Sequence, residues 1–408
     1  MRTARRRGTP MSATVHQDLP LAGLRVLALE HAVAAPIATR HLADMGAEVI
    51  KVERPGKGDF ARGYDQSVRG LSSFFVWLNR GKRSLTLDVK KPGAADLLSR
   101  LVARSDVVVQ NLAPGASDRL GLSYAALSPA HPRLILCDIS GYGREGPYAS
   151  RKAYDLLIQA EAGLMSVTGT PEIPARAGIS AADIATGMYA YSGILAALVR
   201  RGNTGRGAHL QVTMLNAVAE WMGHALYQAA YGSGPPARLA SGHPNIQPYG
   251  TYRTADGAVI LGIQNDGEWA TFCRDVLGQP QLAADPRFAT NVARVTNGVE
   301  LTAAIEAVFA GLDSAVVTVR LDAAGIANGR LNDAGQVWAH PQLAARNRWR
   351  EVGTPGGPVR ALLPPTEFGD VELAMGDVPA LGAHTTAILS EIGCTDAEIA
   401  RLRSAGTV

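Results

Sequence analysis

Short apolar runs alternate with helix-length amphipathic segments along the first 140 residues of the chain. The runs LRVLALE (24–30) and AEVIKVE (47–53) have the length and composition of buried strands, and the segment between them has helical spacing that stops at Gly46. A strand, a helix and a second strand joined by short links predict a βαβ unit with parallel strands.

The same alternation continues along the chain. A helix is predicted at 184–201, and 200–228 indicates a glycine turn, a short strand and a long helix. Together these elements predict an α/β fold with a doubly wound, Rossmann-like large domain. The other predicted elements of this domain are strands at 84–89, 106–111 and 133–140, a helix at 93–105 and a helix near YAALSPAHP.

The pattern changes after residue 228. Residues 232–250 are rich in Gly and Pro, 250–263 indicate a hairpin with an Asp-Gly turn, and 267–324 indicate helices. This composition predicts a smaller α+β domain. The predicted organisation is a disordered leader at 1–20, the large domain at 21–228, the small domain with its linkers at 229–335, and a C-terminal segment at 336–408 that returns to the large domain.

Composition narrows the class of protein. The 408 residues are 47% apolar and 19% charged, which argues for large buried cores and against disorder. The formal net charge is only +4, and the basic segments lack interleaved aromatic residues, so nucleic acid is not expected as a partner. No run of 18 uninterrupted apolar residues predicts a membrane span. The Arg-rich start lacks the apolar core of a secretory signal, which leaves a disordered leader or a transit peptide.

Several common catalytic motifs are missing. The three cysteines are far apart, without CxxC or metal-ligand spacing, so a cytoplasmic location and no metal are expected, and Cys137 is expected in the core. GNTGRG (202–207) lacks the lysine of a phosphate-binding P-loop. GYGREG (141–146) matches GxGxxG, but no apolar helix follows it. This loop is therefore predicted to line a ligand crevice at the sheet edge rather than bind a dinucleotide.

Basic residues follow two of the predicted strands. They lie in KVERPGKGDFARG and NRGKRSLTLDVKKPG, where Arg54 and Lys90 come after strand ends that share one edge of a parallel sheet. Converging cations at such an edge can bind phosphate groups. An ordinary solvated surface is the alternative interpretation.

One carboxylate stands out within ISAADIATGMYAYSGILAAL (179–198). Asp183 precedes a helical run, so it is predicted to be the N-cap of that helix. A helix N-terminus also favours the charged form of a carboxylate, and an ionised carboxylate in an enclosed pocket can act as a nucleophile. The two roles are compatible, and the pattern alone leaves both open.

Blocks spread over residues 20–370 resemble the class III CoA-transferase family. This family includes formyl-CoA and carnitine–crotonobetainyl-CoA transferases and the α-methylacyl-CoA racemases. The resemblance implies a Rossmann-like large domain, a small domain and an interlocked homodimer, with CoA as part of the substrate and no metal or redox cofactor. The blocks are LAGLRVLALEHAVAAPIATRHLADMGAEVIKVERPGKGD, NRGKRSLTLDVKKP, VVVQNLAPGASDRLGL, ISGYGREGPY, YDLLIQAEAGLMSVTG and ISAADIATGMYAYSGILAAL with TGRG.

The resemblance also implies roles for individual residues. Asp183 takes the position of the catalytic aspartate, and His31, Val33 and Ala34 fall in the segment near the thioester. Backbone N–H groups at Val33–Ala34 and at the start of the Asp183 helix are the expected donors to the oxyanions. The implied CoA contacts are Ala32, Arg54, Leu87, Lys90, Asn111, Leu112, Arg119, Gly141 and Tyr142.

Two departures from the family pattern are visible. The racemase branch has His-Asp where this chain has Tyr154-Asp155, and racemisation needs an acid and a base on either side of the α-carbon. The missing histidine therefore argues against a racemase. The segment GIANGRLND (325–333) lacks the proline that relatives carry after Gly-Ile, which concerns a loop of the small domain.

The expected reaction is CoA transfer from an acyl-CoA, with succinyl-CoA as the expected donor, to a short carboxylic or dicarboxylic acid such as itaconate, mesaconate or malate. It would pass through an aspartyl anhydride and an aspartyl-CoA thioester. The second carboxylate of a dicarboxylic acid needs a cation in the site. The alternative interpretation for each candidate cation is an ordinary position on the surface. The alternatives in function are a racemase, an intramolecular CoA-transfer isomerase and an inactive CoA-binding protein. The candidate cations are Arg62, Arg69, Arg176 and His243.

Overall fold

A computed structural model describes residues 18–232 and 234–408, so nearly all of the predicted leader lies outside the described residues. The strands in the described part are β1 (Arg25–Leu29), β2 (Glu48–Glu53), β3 (Lys82–Thr86), β4 (Val107–Gln110), β5 (Ile135–Ser140), β6 (Ala208–Thr213), β7 (Tyr249–Arg253), β8 (Ala258–Gly262), β9 (Ala327–Gly329), β10 (Trp349–Val352) and β11 (Val359–Leu362).

The α-helices of the described part are α1 (Ala34–Asp44), α2 (Ser73–Asn79), α3 (Ala94–Val102), α4 (Ala116–Arg119), α5 (Tyr124–Leu127), α6 (Asp155–Glu161), α7 (Leu164–Val167), α8 (Ala181–Thr204), α9 (Met214–Trp221), α10 (Gly223–Tyr231), α11 (Asp266–Thr271), α12 (Asn291–Thr296), α13 (Gly298–Phe309), α14 (Ser314–Ala323), α15 (Ala334–Trp338), α16 (Pro341–Ala345), α17 (Thr385–Glu391) and α18 (Asp396–Ser404). Short 3₁₀ turns lie at Phe60–Gly63 and Pro280–Ala284, and a π-helical turn at Phe272–Val276.

The chain forms two compact units. The first contains residues 18–162, 177–222 and 347–408, and the second contains residues 163–176, 223–232 and 234–346. Residues 347–408 of the predicted C-terminal segment thus belong to the first unit, whereas residues 336–346 belong to the second. The segment 163–176, which the sequence places in the large domain, belongs to the second.

The first unit is built on a six-stranded parallel sheet. Its order is β3-β2-β1-β4-β5-β6, the order of a doubly wound nucleotide-binding fold. Alternate residues of β1 enter different cores: Val26 and Ala28 pack on one face with α1 and α8, and Leu27 and Leu29 on the other with α3 and α17. Because both faces are covered, the central strands β1 and β4 are nearly continuous apolar runs in the sequence.

Helix α8 packs against α1 and the edge of the sheet. Gly187 permits the contact with α1, because a Cβ atom there would overlap Cγ2 of Ile37 and lie 2.5 Å from the carbonyl oxygen of Ala34. By length and composition alone α8 could cross a membrane, as could the bent pair α13–α14. A core helix passes the same test, and Ala190, Ile194 and the other apolar residues of its inner face lie in the sheet core.

The second unit has its own apolar core. Strands β7, β8 and β9 form an antiparallel sheet that packs with Trp269, Phe272 and Phe309. The predicted hairpin is confirmed, with Asp256-Gly257 in its turn. Strand β9 was not predicted; it lies in the 325–333 segment that departs from the family pattern. The long helix predicted after β6 is in fact two helices, α9 and α10, which meet at Met222.

The end of the chain packs against the β3 edge of the parallel sheet. The N–H of Ser84 donates to Nδ1 of His384 at 3.1 Å, and the N–H of Thr86 donates to Oγ1 of Thr385 at 3.0 Å. Ile388 and Leu389 of α17 enter the core beneath β2 and β3. The antiparallel pair β10–β11, which the sequence pattern did not reveal, lies ahead of this segment.

Candidate active site

The loops that follow the parallel strands bring most of the predicted CoA contacts to one edge of the sheet. Arg54 comes directly after β2, Lys90 follows the end of β3, and Asn111 comes directly after β4. Arg54, Lys90 and Arg119 are exposed, so their charged groups can reach the phosphates of a ligand. Leu87, in contrast, is buried in the core. This arrangement suits a charged ligand lying along the strand ends.

The loop after β1 is held by side chains from neighbouring strands. Asn111 accepts a hydrogen bond from the N–H of His31 at 3.0 Å and donates one to the carbonyl oxygen of His31 at 2.9 Å. Oδ1 of Asp59 accepts from the N–H of Ala32 at 3.1 Å. Ala32 has a φ of 64°, the left-handed region that an alanine rarely adopts, so these contacts hold the loop in a costly conformation.

A fully buried network of charges lies beneath this loop. Lys51 contacts Oδ2 of Asp59 at 2.8 Å and Oε1 of Glu30 at 3.4 Å, and Lys82 contacts Oε1 of Glu30 at 2.7 Å. Burial alone would raise the pKa of Glu30, but the charges of Lys82 and Lys51 outweigh it and lower that pKa. Every carboxylate of the network therefore has a cation within reach.

Asp183 lies in the first turn of α8, and the residue at the N-cap position is Ser180. The prediction that Asp183 caps its own helix is therefore wrong. The capping carboxylate is Asp155, whose Oδ1 accepts from the N–H of Ala182 at 2.8 Å and from the N–H of Asp183 at 3.3 Å. Two N–H groups of the helix start are thus taken by another side chain.

The surroundings of Asp183 favour its neutral form. Burial raises the pKa of Asp183 to about 7, and the negative charge of Asp155 adds to the increase. The expectation that the helix N-terminus holds this carboxylate in its charged form is therefore wrong. Asp155 occupies the donors, and the remaining effect of the helix is smaller than burial and repulsion together.

Tyr64 is another ionisable group that senses Asp183. Burial raises the pKa of Tyr64 to about 12, with contributions from the charges of Asp59 and Asp183. The ring belongs to a row of aromatic contacts, with centroid distances of 5.8 Å to Phe60 and 5.4 Å to Phe74. Tyr64 thus brings part of this aromatic row near Asp183.

The start of α1 lies close to Asp183. Ile184, the next residue along α8, packs against the apolar cluster that contains Val33, and Gly187 one turn later lies against Ala34. An α-helix leaves its first N–H groups without partners inside the helix, and the acceptors Asn111 and Asp59 serve residues that precede the helix. The N–H groups at Val33 and Ala34 are therefore available to an oxyanion, in contrast to those that Asp155 binds.

The loop after β5 approaches the segment before α6 closely. A Cβ atom at Gly141 would overlap Cβ of Ala153, so a larger residue would push the two segments apart. The ring of Tyr142 packs edge-on against Tyr148, with centroids 5.3 Å apart. Gly141, Tyr142 and Leu112 thus lie in loops that follow β5 and β4, and their contacts with CoA stay a prediction.

The four candidate cations for a distal carboxylate have different surroundings. Nε and Nη2 of Arg62 each lie 2.8 Å from a carboxylate oxygen of Glu53, so Arg62 is already engaged. Arg69 is exposed in the first unit with a φ of 52°. Arg176 and His243 belong to the second unit, where the His243 ring lies 5.3 Å from that of Tyr249.

Other reactive groups have structural surroundings. Burial raises the pKa of the Cys137 thiol to about 12, as expected for a core cysteine. Arg144 of the GYGREG loop pairs with Asp118 and Asp138, so the loop is fixed by ion pairs. In the described part of the chain, no three His, Cys, Asp or Glu side chains are placed to hold a metal ion.

Sequence reasoning missed the role of Asp155 and the position of Tyr64. The available signal for Asp155 was the Tyr154-Asp155 pair itself, in which only the missing histidine was interpreted. No sequence spacing connects Tyr64 with Asp183, which lies more than a hundred residues later. Their proximity depends on the fold.

Comparison with known proteins agrees with this geometry. The family model for CoA-transferase family III matches residues 21–385. Succinate–glutarate CoA-transferase of Agrobacterium fabrum is 36% identical, covering 91% of this chain and 96% of its own length. Human succinyl-CoA:glutarate CoA-transferase is 34% identical, covering 98% and 92% respectively.

A solved structure has the same fold. The crystal structure of a CaiB/BaiF family protein from Brucella suis superposes with a TM-score of 0.81 at 38% identity, covering 92% of this chain and 100% of that chain. Fold, sequence and the strand-end site thus agree. The chain belongs to CoA-transferase family III and is a CoA-transferase.

Proposed function

We propose that this enzyme transfers CoA from succinyl-CoA to a short dicarboxylic acid, with Asp183 as the nucleophile. The observation that carries the proposal is the position of Asp183: half-buried, without a cation partner among the described residues, and beside the N–H groups that begin α1. Two relatives that match most of the chain are named for succinate or succinyl-CoA and for glutarate, which supports this class of donor and acceptor.

The first half of the reaction loads the enzyme. A carboxylate oxygen of Asp183 attacks the thioester carbonyl, the C–S bond breaks, and CoA leaves as the thiolate. The product is a mixed anhydride. The thiolate then attacks the aspartyl carbonyl, the C–O bond breaks, succinate leaves, and an aspartyl-CoA thioester remains.

The second half runs the same steps in reverse order with a new acid. The acceptor carboxylate attacks the aspartyl thioester, releases the thiolate, and forms a second anhydride. Attack of the thiolate on the acceptor carbonyl gives the new acyl-CoA and returns Asp183 as a carboxylate. Negative charge develops on a carbonyl oxygen in each step, and the N–H groups at Val33 and Ala34 are suited to stabilise it.

Water must be kept from both covalent intermediates, because hydrolysis would destroy the thioester without transfer. The aromatic row with Phe60, Tyr64 and Phe74 supports this requirement.

We extend the proposal to the assembly: the enzyme works as a homodimer of interlocked chains. Large apolar side chains that are exposed on the first unit support such an interface. These side chains are Leu156, Leu157, Ile179, Val199 and Trp221. Analytical ultracentrifugation would measure the oligomeric state.

The test is a set of carboxylic acids incubated with succinyl-CoA and read by mass spectrometry of the acyl-CoA products. We expect transfer to glutarate, itaconate, mesaconate or malate and little transfer to butyrate, which lacks the second carboxylate. Efficient transfer to butyrate would contradict the proposed acceptor class. Deuterium uptake at the α-carbon without an acceptor would instead indicate a racemase, and a new isomer formed without an acceptor would indicate intramolecular transfer.

The nucleophile is tested by Asp183→Asn. This variant should lose at least about 10³-fold of the transfer activity, and the mass shift of the loaded enzyme should disappear. The mass of the purified variant must exclude deamidation back to aspartate. Activity close to wild type in a verified sample would refute the role of Asp183.

A further inference from the structure

Two carboxylates lie together at the start of α8. Asp155 and Asp183 are linked through the backbone, since Oδ1 of Asp155 accepts from the N–H of Asp183 at 3.3 Å. In residues 18–232 and 234–408, no ion pair involves either side chain. Holding two like charges close together in a half-buried place without a cation costs free energy. Such an unpaired arrangement is typical of functional sites.

Asp155 is held in this position from several sides. Nε2 of the buried Gln159 donates to its Oδ2 at 2.7 Å, while Oε1 of Gln159 accepts from the N–H of Ala177 at 2.9 Å. Oδ1 accepts from the N–H groups of Ala182 and Asp183. Both oxygens are thus fixed, and Asp155 cannot rotate away from the negative charge on Asp183.

We propose that Asp155 is a positioning residue for the transfer reaction, which anchors the first turn of α8 and places a fixed negative charge beside the reacting carboxylate. The inference rests on the proposed role of Asp183 as the nucleophile. A carboxylate that is destabilised as an anion is a stronger base and a stronger nucleophile toward a thioester carbonyl.

The charge also acts on the intermediates. Asp183 is neutral in the anhydride and in the aspartyl-CoA thioester, so its repulsion with Asp155 is relieved when either covalent bond forms. The negative charge moves to the CoA thiolate or to the departing acid. Asp155 therefore favours the loaded enzyme over the free enzyme by the amount of that repulsion.

Among the described residues, few groups other than Asp155 act on the charge of Asp183. Asp155 of α6 acts on Asp183 most directly, and Tyr64 senses the charge of Asp183. Asp59 and Tyr154 surround Tyr64 in turn. Helix α1 contributes the N–H groups of its first turn, which stabilise negative charge on both the nucleophile and the oxyanion.

The experiment compares three variants in the full-length enzyme. Asp155→Asn keeps the carbonyl oxygen that accepts from the helix but removes the charge, and Asp155→Glu keeps the charge. Glu161→Gln removes a charge from an exposed position on the same helix and is the matched control. The pH dependence of kcat/KM is measured for each, with the fraction of enzyme that carries CoA.

We expect the midpoint of the acid limb to move down by about one pH unit or more in Asp155→Asn and to stay in place in Asp155→Glu and Glu161→Gln. The fraction of aspartyl-CoA enzyme at equilibrium with succinyl-CoA should fall in Asp155→Asn alone. An unmoved midpoint in Asp155→Asn would refute the charge effect and leave Asp155 as a helix cap only.

A second readout separates this inference from the proposed function. The infrared difference spectrum of wild type minus Asp183→Asn contains the carbonyl stretch of the protonated Asp183 carboxyl group, which titrates this group without any turnover. Its midpoint should fall when Asp155→Asn is introduced into both proteins. Activity in Asp183→Asn would refute the nucleophile, whereas an unmoved infrared midpoint would refute the role of Asp155. If Asp155→Asn fails to fold, Asp155→Glu and Asp155→Gln give the same comparison of charge.

Discussion

Two groups of carboxylates lie near the loop between β1 and α1, one buried and one half-buried, and the charges around them have opposite signs. Glu30 and Asp59 share the lysines Lys51 and Lys82, whereas Asp183 faces another carboxylate, Asp155. The charges of the lysines lower the pKa of Glu30 against the effect of burial, but burial and Asp155 together raise the pKa of Asp183 to about 7.

The contrast separates two uses of a carboxylate. In the buried network of Glu30, Asp59, Lys51 and Lys82, each carboxylate is paired with a lysine. The network fixes the loop that carries His31 and Ala32. At the start of α8 the charge of Asp183 is left uncompensated, which costs stability and makes the group reactive. Groups with such perturbed pKa values concentrate at functional sites.

The largest expected effect comes from breaking the paired region. Lys51→Met should destabilise the first unit by about 3–5 kcal/mol, because Glu30 and Asp59 would keep one lysine between them in a dry interior. Asp183→Asn should not lower stability at pH 8, since it removes an unpaired charge. Thermal and denaturant unfolding followed by circular dichroism would measure both.

Lys57→Met is the control for the first experiment, because Lys57 is exposed in a loop and should change stability by less than about 0.5 kcal/mol. The comparison would fail if Lys51→Met behaved like Lys57→Met, or if Asp183→Asn were as destabilising as Lys51→Met. Either result would mean that pairing does not distinguish the two regions.

The next effect is the pH dependence of stability. The pKa of Asp183 is raised to about 7 in the folded chain and is near 4 when unfolded, so between these values the folded state binds the extra proton. Its contribution to stability is therefore complete at low pH and is lost as pH rises through 7. Between pH 5 and 8, wild type should lose about 1–3 kcal/mol relative to Asp183→Asn.

Glu30 should show the opposite sign. Its folded pKa is lowered, so its contribution is present above about pH 4.5 and is lost as pH falls below that value. The difference in unfolding free energy between wild type and Asp183→Asn at several pH values tests the statement on Asp183. The stability that both proteins lose as pH falls below 4.5 tests the statement on Glu30. A difference between the two proteins that does not change from pH 5 to pH 8 would contradict the raised pKa of Asp183.

The sequence predicted the sheet well because strand and helix patterns are local. The edges of β1 and β2 agree with the predicted runs within one residue, and the pattern singles out Asp183 as the key carboxylate. The capping of its helix was assigned wrongly, because the capping side chain lies 27 residues earlier along the chain. Periodicity carries no information on which distant side chain reaches a helix end.

The sequence pattern could not predict the buried ion pairs of Lys51 and Lys82 either. Lys51 and Lys82 lie on neighbouring strands and look like strand residues with ordinary solvated charges, yet both are buried. Only the register of β2 and β3 with the loop after β1 brings them to Glu30. The positive φ of Ala32 is equally invisible, since alanine predicts a helix or a strand rather than a left-handed turn.

A smaller effect is expected at the contact that joins α1 to α8. Gly187→Ala would place Cβ against Ile37 and the backbone of Ala34, so the helices must separate, at a cost of about 1–3 kcal/mol. Because the N–H groups of α1 would move away from Asp183, kcat should fall by about tenfold or more with little change in KM.

Gly193→Ala is the matched control on the same helix. A Cβ atom there would meet only Cδ1 of Leu210, at an ordinary 3.6 Å, so this variant should gain up to about 1 kcal/mol of helix stability. Equal kinetics for Gly187→Ala and Gly193→Ala would show that the spacing of α1 and α8 does not affect the reaction.

The smallest expected effect concerns the loop between β1 and α1. The experiment tests whether the buried charge network beneath this loop holds it in a strained conformation. Ala32→Gly relieves the left-handed conformation at a φ of 64° and should raise stability by about 0.5–1 kcal/mol. Ala240→Gly, at a φ of 51° in the second unit, should give the same gain and is the control. Only Ala32→Gly should lower kcat, because a glycine lets the loop leave the position that Asn111 and Asp59 impose. Thermal unfolding and transfer kinetics measure the two effects, and equal kcat values in the two variants would show that the rigidity of this loop does not serve the reaction.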